Sequence, residues 1–182
     1  THIIGFEKLG ASFTLNEDGF FHLEAPNLGG ANLLLDEPSV TGTANIVMAA
    51  SMANGTTTIY NAACEPYLQQ LCKMLNRMGA KIDGIGSNLL TIKGVDYLSG
   101  TAHRMLPDMI EIGSFIGLAA MTQSDITIKN AGIEHLGIIP DKFRQLGIEM
   151  NFTGDDIHIP SQEIYEVHKY FDGGVLTMYD HP

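Results

Sequence analysis

Along PYLQQLCKMLNRMG the side chains of Leu68, Leu71, Cys72, Met74, Leu75 and Met78 recur at helical spacing, with Pro66 at the start and Gly79 as a stop. Just before it, GTTTIYNA alternates apolar and polar positions as a half-buried strand does. Before that, ANIVMAASMAN is a helix of small apolar residues suited to burial. Just after it, DGIGSNLLTIKG sets a polar turn, Gly84–Asn88, between short apolar runs, which predicts a β-hairpin. The same succession returns in IEIGSFIGLAAM, SDITIKNA, PDKFRQLG and NFTGDDIHIP, with the hairpin turn now at Thr153–Asp156. A partial version opens the chain: the helix HIIGFEKLG, then TLNEDGFFHLEA with its turn at Asn16–Gly19.

These copies share a phrase at the helix-to-strand junction: KLGASF at Lys8–Phe13, RMGAKI at Arg77–Ile82 and QLGIEM at Gln145–Met150. Its glycines, Gly10, Gly79 and Gly147, are 69 and 68 residues apart. The repeating unit is strand, helix, strand, helix, strand, strand, in about 70 residues, longer than the usual solenoid repeat of roughly 20–50. The fold class expected is therefore α/β, in compact domains of several βαβαββ units. Residues 31–106 and 107–172 are expected to form two such units, with Gly79 over Gly147. The first copy lacks its leading strand and helix, and after Asp172 a further copy begins with GGVLTMY. Those ragged ends predict a piece of a longer protein, the alternative being an intact small protein with short caps.

Composition narrows the partners. The chain has 182 residues, 45% hydrophobic and 17% charged, enough to bury a real core in one or two domains. A net charge of −11 argues against nucleic acid or an anionic membrane, so an anionic ligand must be held by local geometry. No stretch approaches the roughly 18–20 apolar residues of a membrane span, and no signal peptide is visible. Cys64 and Cys72, around one predicted helix, would lie roughly 12 Å apart at about 1.5 Å per residue, beyond disulfide reach. The seven histidines show no metal-ligand spacing.

One segment offers the required geometry. LLLDEPSVTGTANIVMAA, Leu33–Ala50, reads as a strand, a tight polar turn over Asp36–Thr43, and a helix. Ser39, Thr41 and Thr43 can cap that helix, and its free first-turn amides can hold phosphate. A well-capped turn with no ligand fits the same residues. A second polar insertion, Asn61–Tyr67, joins the next strand to its helix on the same side of the unit. Glu65 there can accept hydrogen bonds from a ligand or cap the following helix.

Ser39-Val40 with Thr43, then MAA, NGTT, NAACEP, the run MGAKI-x-G-x-GSN-x-LTI-x-GV and LPDMIE-x-G together resemble the bacterial UDP-N-acetylglucosamine 1-carboxyvinyltransferases. The likeness covers essentially the whole chain in order and spacing. The sister shikimate-phosphate enolpyruvyl transferases share the repeated fold but do not usually carry NAA-x-EP and PD-x-IE-x-G in this context.

The resemblance implies an inside-out α/β barrel architecture, two domains of three units each, with sheets outside and helices within. It implies that residues 1–106 end the first domain and 107–182 begin the second, the crossing falling at Leu106–Pro107. It implies transfer of the enolpyruvyl group of phosphoenolpyruvate to the 3-hydroxyl of UDP-N-acetylglucosamine in the cytoplasm, beginning peptidoglycan synthesis, with no cofactor, metal, nucleic acid or membrane. Family members carry the catalytic acid, a sugar-contacting aspartate and the phosphoenolpyruvate-binding cations outside the stretch matched here, so no catalytic residue is assigned and Cys64 and Cys72 are not promoted to that role. What falls inside is part of the nucleotide-sugar site: Glu37, Pro38, Ser39, Val40 and Thr41 along the diphosphate and uridine, and Glu65 beside the cleft. Some relatives have lysine at Glu37, many have Gly-Ala at Thr41-Gly42, and many have arginine at Cys64 and Met109, which leaves backbone amides more of the phosphate contact. A non-catalytic paralogue that binds a nucleotide sugar, and a shikimate-3-phosphate enolpyruvyl transferase, are the alternatives. Faces that would meet missing units are expected to be apolar, so self-association is expected too.

Overall fold

In the computed structural model, residues 1–167 are described, and they divide into two compact units, Thr1–Arg104 and a second from Met105 onward. The first opens with helix α1 (His2–Lys8) and the antiparallel hairpin β1 (Ser12–Leu15) and β2 (Phe21–Glu24). It continues with β3 (Asn32–Leu34), α2 (Val40–Ala50), β4 (Thr56–Tyr60), α3 (Pro66–Met78), β5 (Lys81–Asp83) and β6 (Leu89–Lys93), the predicted βαβαββ order. The four strands form one open sheet in the order β3-β4-β6-β5, with only β3 and β4 parallel.

Alternation sets its register. Leu33, Ile59 and Leu90 lie opposite one another across three strands, and Ile92 faces Ile82 and Thr57; all six are buried. Against that face pack Ile46 and Val47 of α2 and Leu68, Cys72 and Leu75 of α3, with Leu9 closing one end. α3 is amphipathic as its period predicts, with Pro66 in its first turn and Gly79 in a left-handed conformation after its last.

The repeated phrase is a repeated hydrogen-bond motif. At each copy the glycine has positive φ: +100° at Gly10, +110° at Gly79 and +85° at Gly147. Each glycine amide bonds the carbonyl three residues back, and each following amide the carbonyl five back: Ala11 to Phe6, Ala80 to Leu75, Ile148 to Phe143. That is the Schellman ending, which stops a helix and releases the chain as a strand.

The second unit comprises α4 (Met109–Met121), β7 (Ile126–Ile128), a 3-10 turn (Ile133–His135), α5 (Ile139–Gln145), β8 (Asn151–Thr153) and β9 (Asp156–Ile159). Its strands pair antiparallel in the order β7-β9-β8. Asp108 caps α4 by accepting from the Ile110 and Glu111 amides at 2.8 and 3.4 Å. Ile112, Ile116, Ala119, Ile157 and Ile159 form its core.

Two expectations need correcting. Among the described residues no strand precedes α4, so the second copy is not a full βαβαββ unit. The stretch Gly94–Pro107 has no sustained alternation, and Gly94, Gly100 and Pro107 interrupt it, proline without an amide to donate. The predicted turn Asp36–Thr43 is also shorter, since α2 begins at Val40 and makes Thr41 and Thr43 helical. The further copy expected after Asp172 lies outside the described residues. No closed barrel forms among the described residues of either unit.

Candidate functional site

The parallel strands β3 and β4 end side by side, Leu34 opposite Tyr60, and each runs straight into a polar loop. After β3 the loop crosses Asp36, Glu37 and Pro38 to Ser39, which caps α2: its Oγ accepts from the Gly42 amide at 3.1 Å. The Thr43 amide returns to the Ser39 carbonyl at 2.9 Å. The amides of Val40 and Thr41 have no acceptor among the described residues. They are the free donors at the positive end of the α2 dipole.

After β4 the chain turns at Asn61, a non-glycine residue at φ +58°. Its side-chain amide donates to the Leu35 carbonyl at 3.0 Å, tying the second loop to the first. Ala62 is pinned by its amide to the Asn88 carbonyl, and the Ala63 amide donates to Thr43 Oγ1 at 3.1 Å. The Thr43 hydroxyl in turn donates to the Ser39 carbonyl at 2.7 Å. The two sequence-predicted segments are therefore bonded into one surface.

Of the three proposed capping hydroxyls, only Ser39 takes a first-turn amide. Thr43 is fully buried and braces the turn from beneath. Thr41 is exposed and bonds elsewhere: Asn45 Nδ2 donates to His2 Nδ1 at 2.8 Å, leaving the other ring nitrogen to donate to Thr41 Oγ1 at 3.3 Å. Glu37 is exposed and accepts from the Thr1 hydroxyl at 3.1 Å.

Glu65 stands at the N-cap position of α3, yet its side chain makes no cap hydrogen bond, which removes the capping reading of this residue. Its Oε2 is buried without a partner among the described residues. A buried acceptor left unpaired costs about 1–3 kcal/mol, so its retention beside an exposed polar loop marks a place where a donor can dock. Sequence reasoning missed Asn61 and His2. Asn61 carried a signal, because the dipeptide Asn-Ala follows the strand in both copies and Asn130, its counterpart, also has positive φ, +52°. His2 carried none.

The site holds carboxylates (Asp36, Glu37, Glu65) and oriented amides, so its pull on an anion comes from N–H groups. Among the described residues no three His, Cys, Asp or Glu side chains gather as a metal site, and no helix is long and apolar enough to cross a membrane.

The sequence model of the EPSP synthase (3-phosphoshikimate 1-carboxyvinyltransferase) family matches residues 1–171. UDP-N-acetylglucosamine 1-carboxyvinyltransferase of Bacteroides thetaiotaomicron is 63% identical over 183 aligned residues, covering 100% of this chain. The enzyme of that name from Porphyromonas gingivalis is 58% identical over the same extent. The chain spans 42% of the length of each of these relatives. In fold it is similar to the enolpyruvyl transferase NikO of Streptomyces tendae, with a TM-score of 0.78 at 18% identity, over 88% of this chain and 41% of NikO. It is also similar to EPSP synthase of Acinetobacter baumannii, with a TM-score of 0.60 at 21% identity, over 87% and 38% of the two chains. The family match across both repeats, joined to a fold held in common with two enolpyruvyl transferases, shows that the chain belongs to the EPSP synthase family.

Proposed function

We propose that the chain is a central stretch of a cytoplasmic UDP-N-acetylglucosamine 1-carboxyvinyltransferase, and that it supplies part of the nucleotide-sugar site. In that reaction the sugar 3-hydroxyl loses its proton to a base and bonds the enol carbon of phosphoenolpyruvate. An acid protonates the methylene carbon to a methyl group, and loss of a proton from that methyl then expels inorganic phosphate and restores the double bond as an enol ether. Residues 1–106 complete the first domain of the protein and 107–182 begin the second. Glu37, Pro38, Ser39, Val40 and Thr41 lie along the diphosphate and uridine, and Glu65 takes a donor from the ligand.

The observation that carries this reading is the pair of free amides on Val40 and Thr41 at a helix N-terminus, in a loop bonded through Thr43 and Ala63 to the loop that holds the unpaired Glu65 Oε2. Oriented amides suit a diphosphate, and an unpaired buried acceptor suits a hydroxyl or amide of a sugar or base.

The first test removes one donor. Val40 is the first residue of α2 and Ser39 before it is extended, at φ −70° and ψ 121°, so proline fits there without breaking the helix. In the full-length protein, Val40→Pro should weaken UDP-N-acetylglucosamine binding by about 1–3 kcal/mol in calorimetric titration. Glu37→Lys should leave binding unchanged or tighten it. A folded proline variant that binds as tightly as wild type would reduce the turn to a simple cap. The 182-residue chain alone, which carries no assigned acid or base, should release no phosphate from the two substrates.

A further inference from the structure

We infer that Thr43 is a positioning residue that sets the spacing between the two halves of the nucleotide-sugar site. The inference rests on the function proposed above and adds the device that makes the site rigid.

Thr43 has no exposed surface, so its side chain touches no ligand. Its hydroxyl is nevertheless fully used. It donates to the Ser39 carbonyl at 2.7 Å and accepts from the Ala63 amide at 3.1 Å. Ser39 heads the helix turn that carries the two free amides, and Ala63 lies two residues before Glu65. One buried oxygen therefore links the donor half of the site to the acceptor half, across residues 20 apart in sequence. Asn61 makes the second tie, lower down, to Leu35.

The chemistry explains why a hydroxyl stands here. The Ala63 amide is buried and needs an acceptor; the Ser39 carbonyl, already bonded by the Thr43 amide, has a lone pair left. Only a group that donates and accepts at once satisfies both. Valine has the same shape and can do neither. Without the link the two loops remain attached to their strands but gain freedom relative to each other. A ligand that bridges them must then supply the ordering that Thr43 otherwise provides in advance.

The experiment compares Thr43→Val, Thr43→Ser and Thr57→Val in the full-length protein. Thr57 is the matched control: also buried, it accepts a backbone amide, that of Ala31, at 3.4 Å, near the start of the strand and away from the site loops. Thr43→Val should lower UDP-N-acetylglucosamine affinity by about tenfold or more, raising its KM while leaving the KM of phosphoenolpyruvate in place. Thr43→Ser should restore near wild-type affinity. Thr57→Val should lower the melting temperature without changing either KM. Equal losses in Thr43→Val and Thr57→Val, or unaltered nucleotide-sugar binding in a folded Thr43→Val, would overturn the inference. If Thr43→Val does not fold, hydrogen exchange of wild type decides: the Ala63 amide should already be protected before any ligand is added, as a preformed link requires, and unprotected exchange at Ala63 overturns it. Failure of wild type to bind the nucleotide sugar at all would remove the proposed function itself, a result distinct from either.

Discussion

At the scale of single residues, burial separates the two cysteines. Cys64 is exposed and Cys72 is buried. Removal from water favours the neutral thiol and pushes the pKa of Cys72 up from 9.0 to about 11. Because the folded value is the higher one, the stability this group contributes is complete below pH 9.0 and is lost as the pH rises toward 11. A thiol reagent at neutral pH should therefore label Cys64 quickly and Cys72 only on unfolding, as read by mass spectrometry; fast labelling of both would contradict the packing of α3. Asp156 behaves in the opposite sense. The Lys129 ammonium at 2.6 Å, and after it the Asn130 amide, hold its carboxyl below the ordinary 3.8. Its contribution is present above the ordinary carboxylate range and is lost as the pH falls through the lowered folded value. Asp156→Asn should flatten the acid limb of stability measured by denaturant melts at stepped pH.

At the scale of elements, the glycine endings allow a direct comparison. Around Gly79 an added methyl meets open space, so Gly79→Ala should cost only the backbone strain of its positive φ, about 1–2 kcal/mol. At Gly147 the same methyl runs into the backbone of Glu166, so Gly147→Ala should cost more. Thermal melts of the two variants test the ranking, and equal costs would contradict it. The helix α3 was legible because its period, proline start and glycine stop agree over a long window. The start of α2 was not. Val40, Thr41, Gly42 and Thr43 are poor helix formers by propensity, and they are helical because Ser39 caps them and Thr43 is buried. In the same way the turn at Ser39 and the loop at Glu65 could each be read from the chain, whereas the bond that joins them links positions with no local relation.

At the scale of the whole molecule, apolar surface is left open in both units. In the first, Leu34, Tyr60 and Leu89 form a cross-strand row on the outer face of the sheet, exposed by 74, 48 and 43%. Phe20, Phe21 and Leu23 are exposed on or beside the two-stranded hairpin, a unit marginal on its own. In the second, Ile110, Phe115, Leu118 and Met121 stand out from α4. Such surface predicts association that grows with concentration, and sedimentation velocity of the 182-residue chain tests it: a single monomeric species at all concentrations would contradict it. The glycine ending has a consequence at this scale as well. Because α1, α3 and α5 are each stopped by a signal written within a few residues, the hairpin that follows can vary without disturbing the helix before it. The three hairpins turn over residues 16–20, 84–88 and 154–155, yet the helices before them end alike. The signal works as a line break in a ruled text: residues gained or lost within one line leave the next line starting in its place.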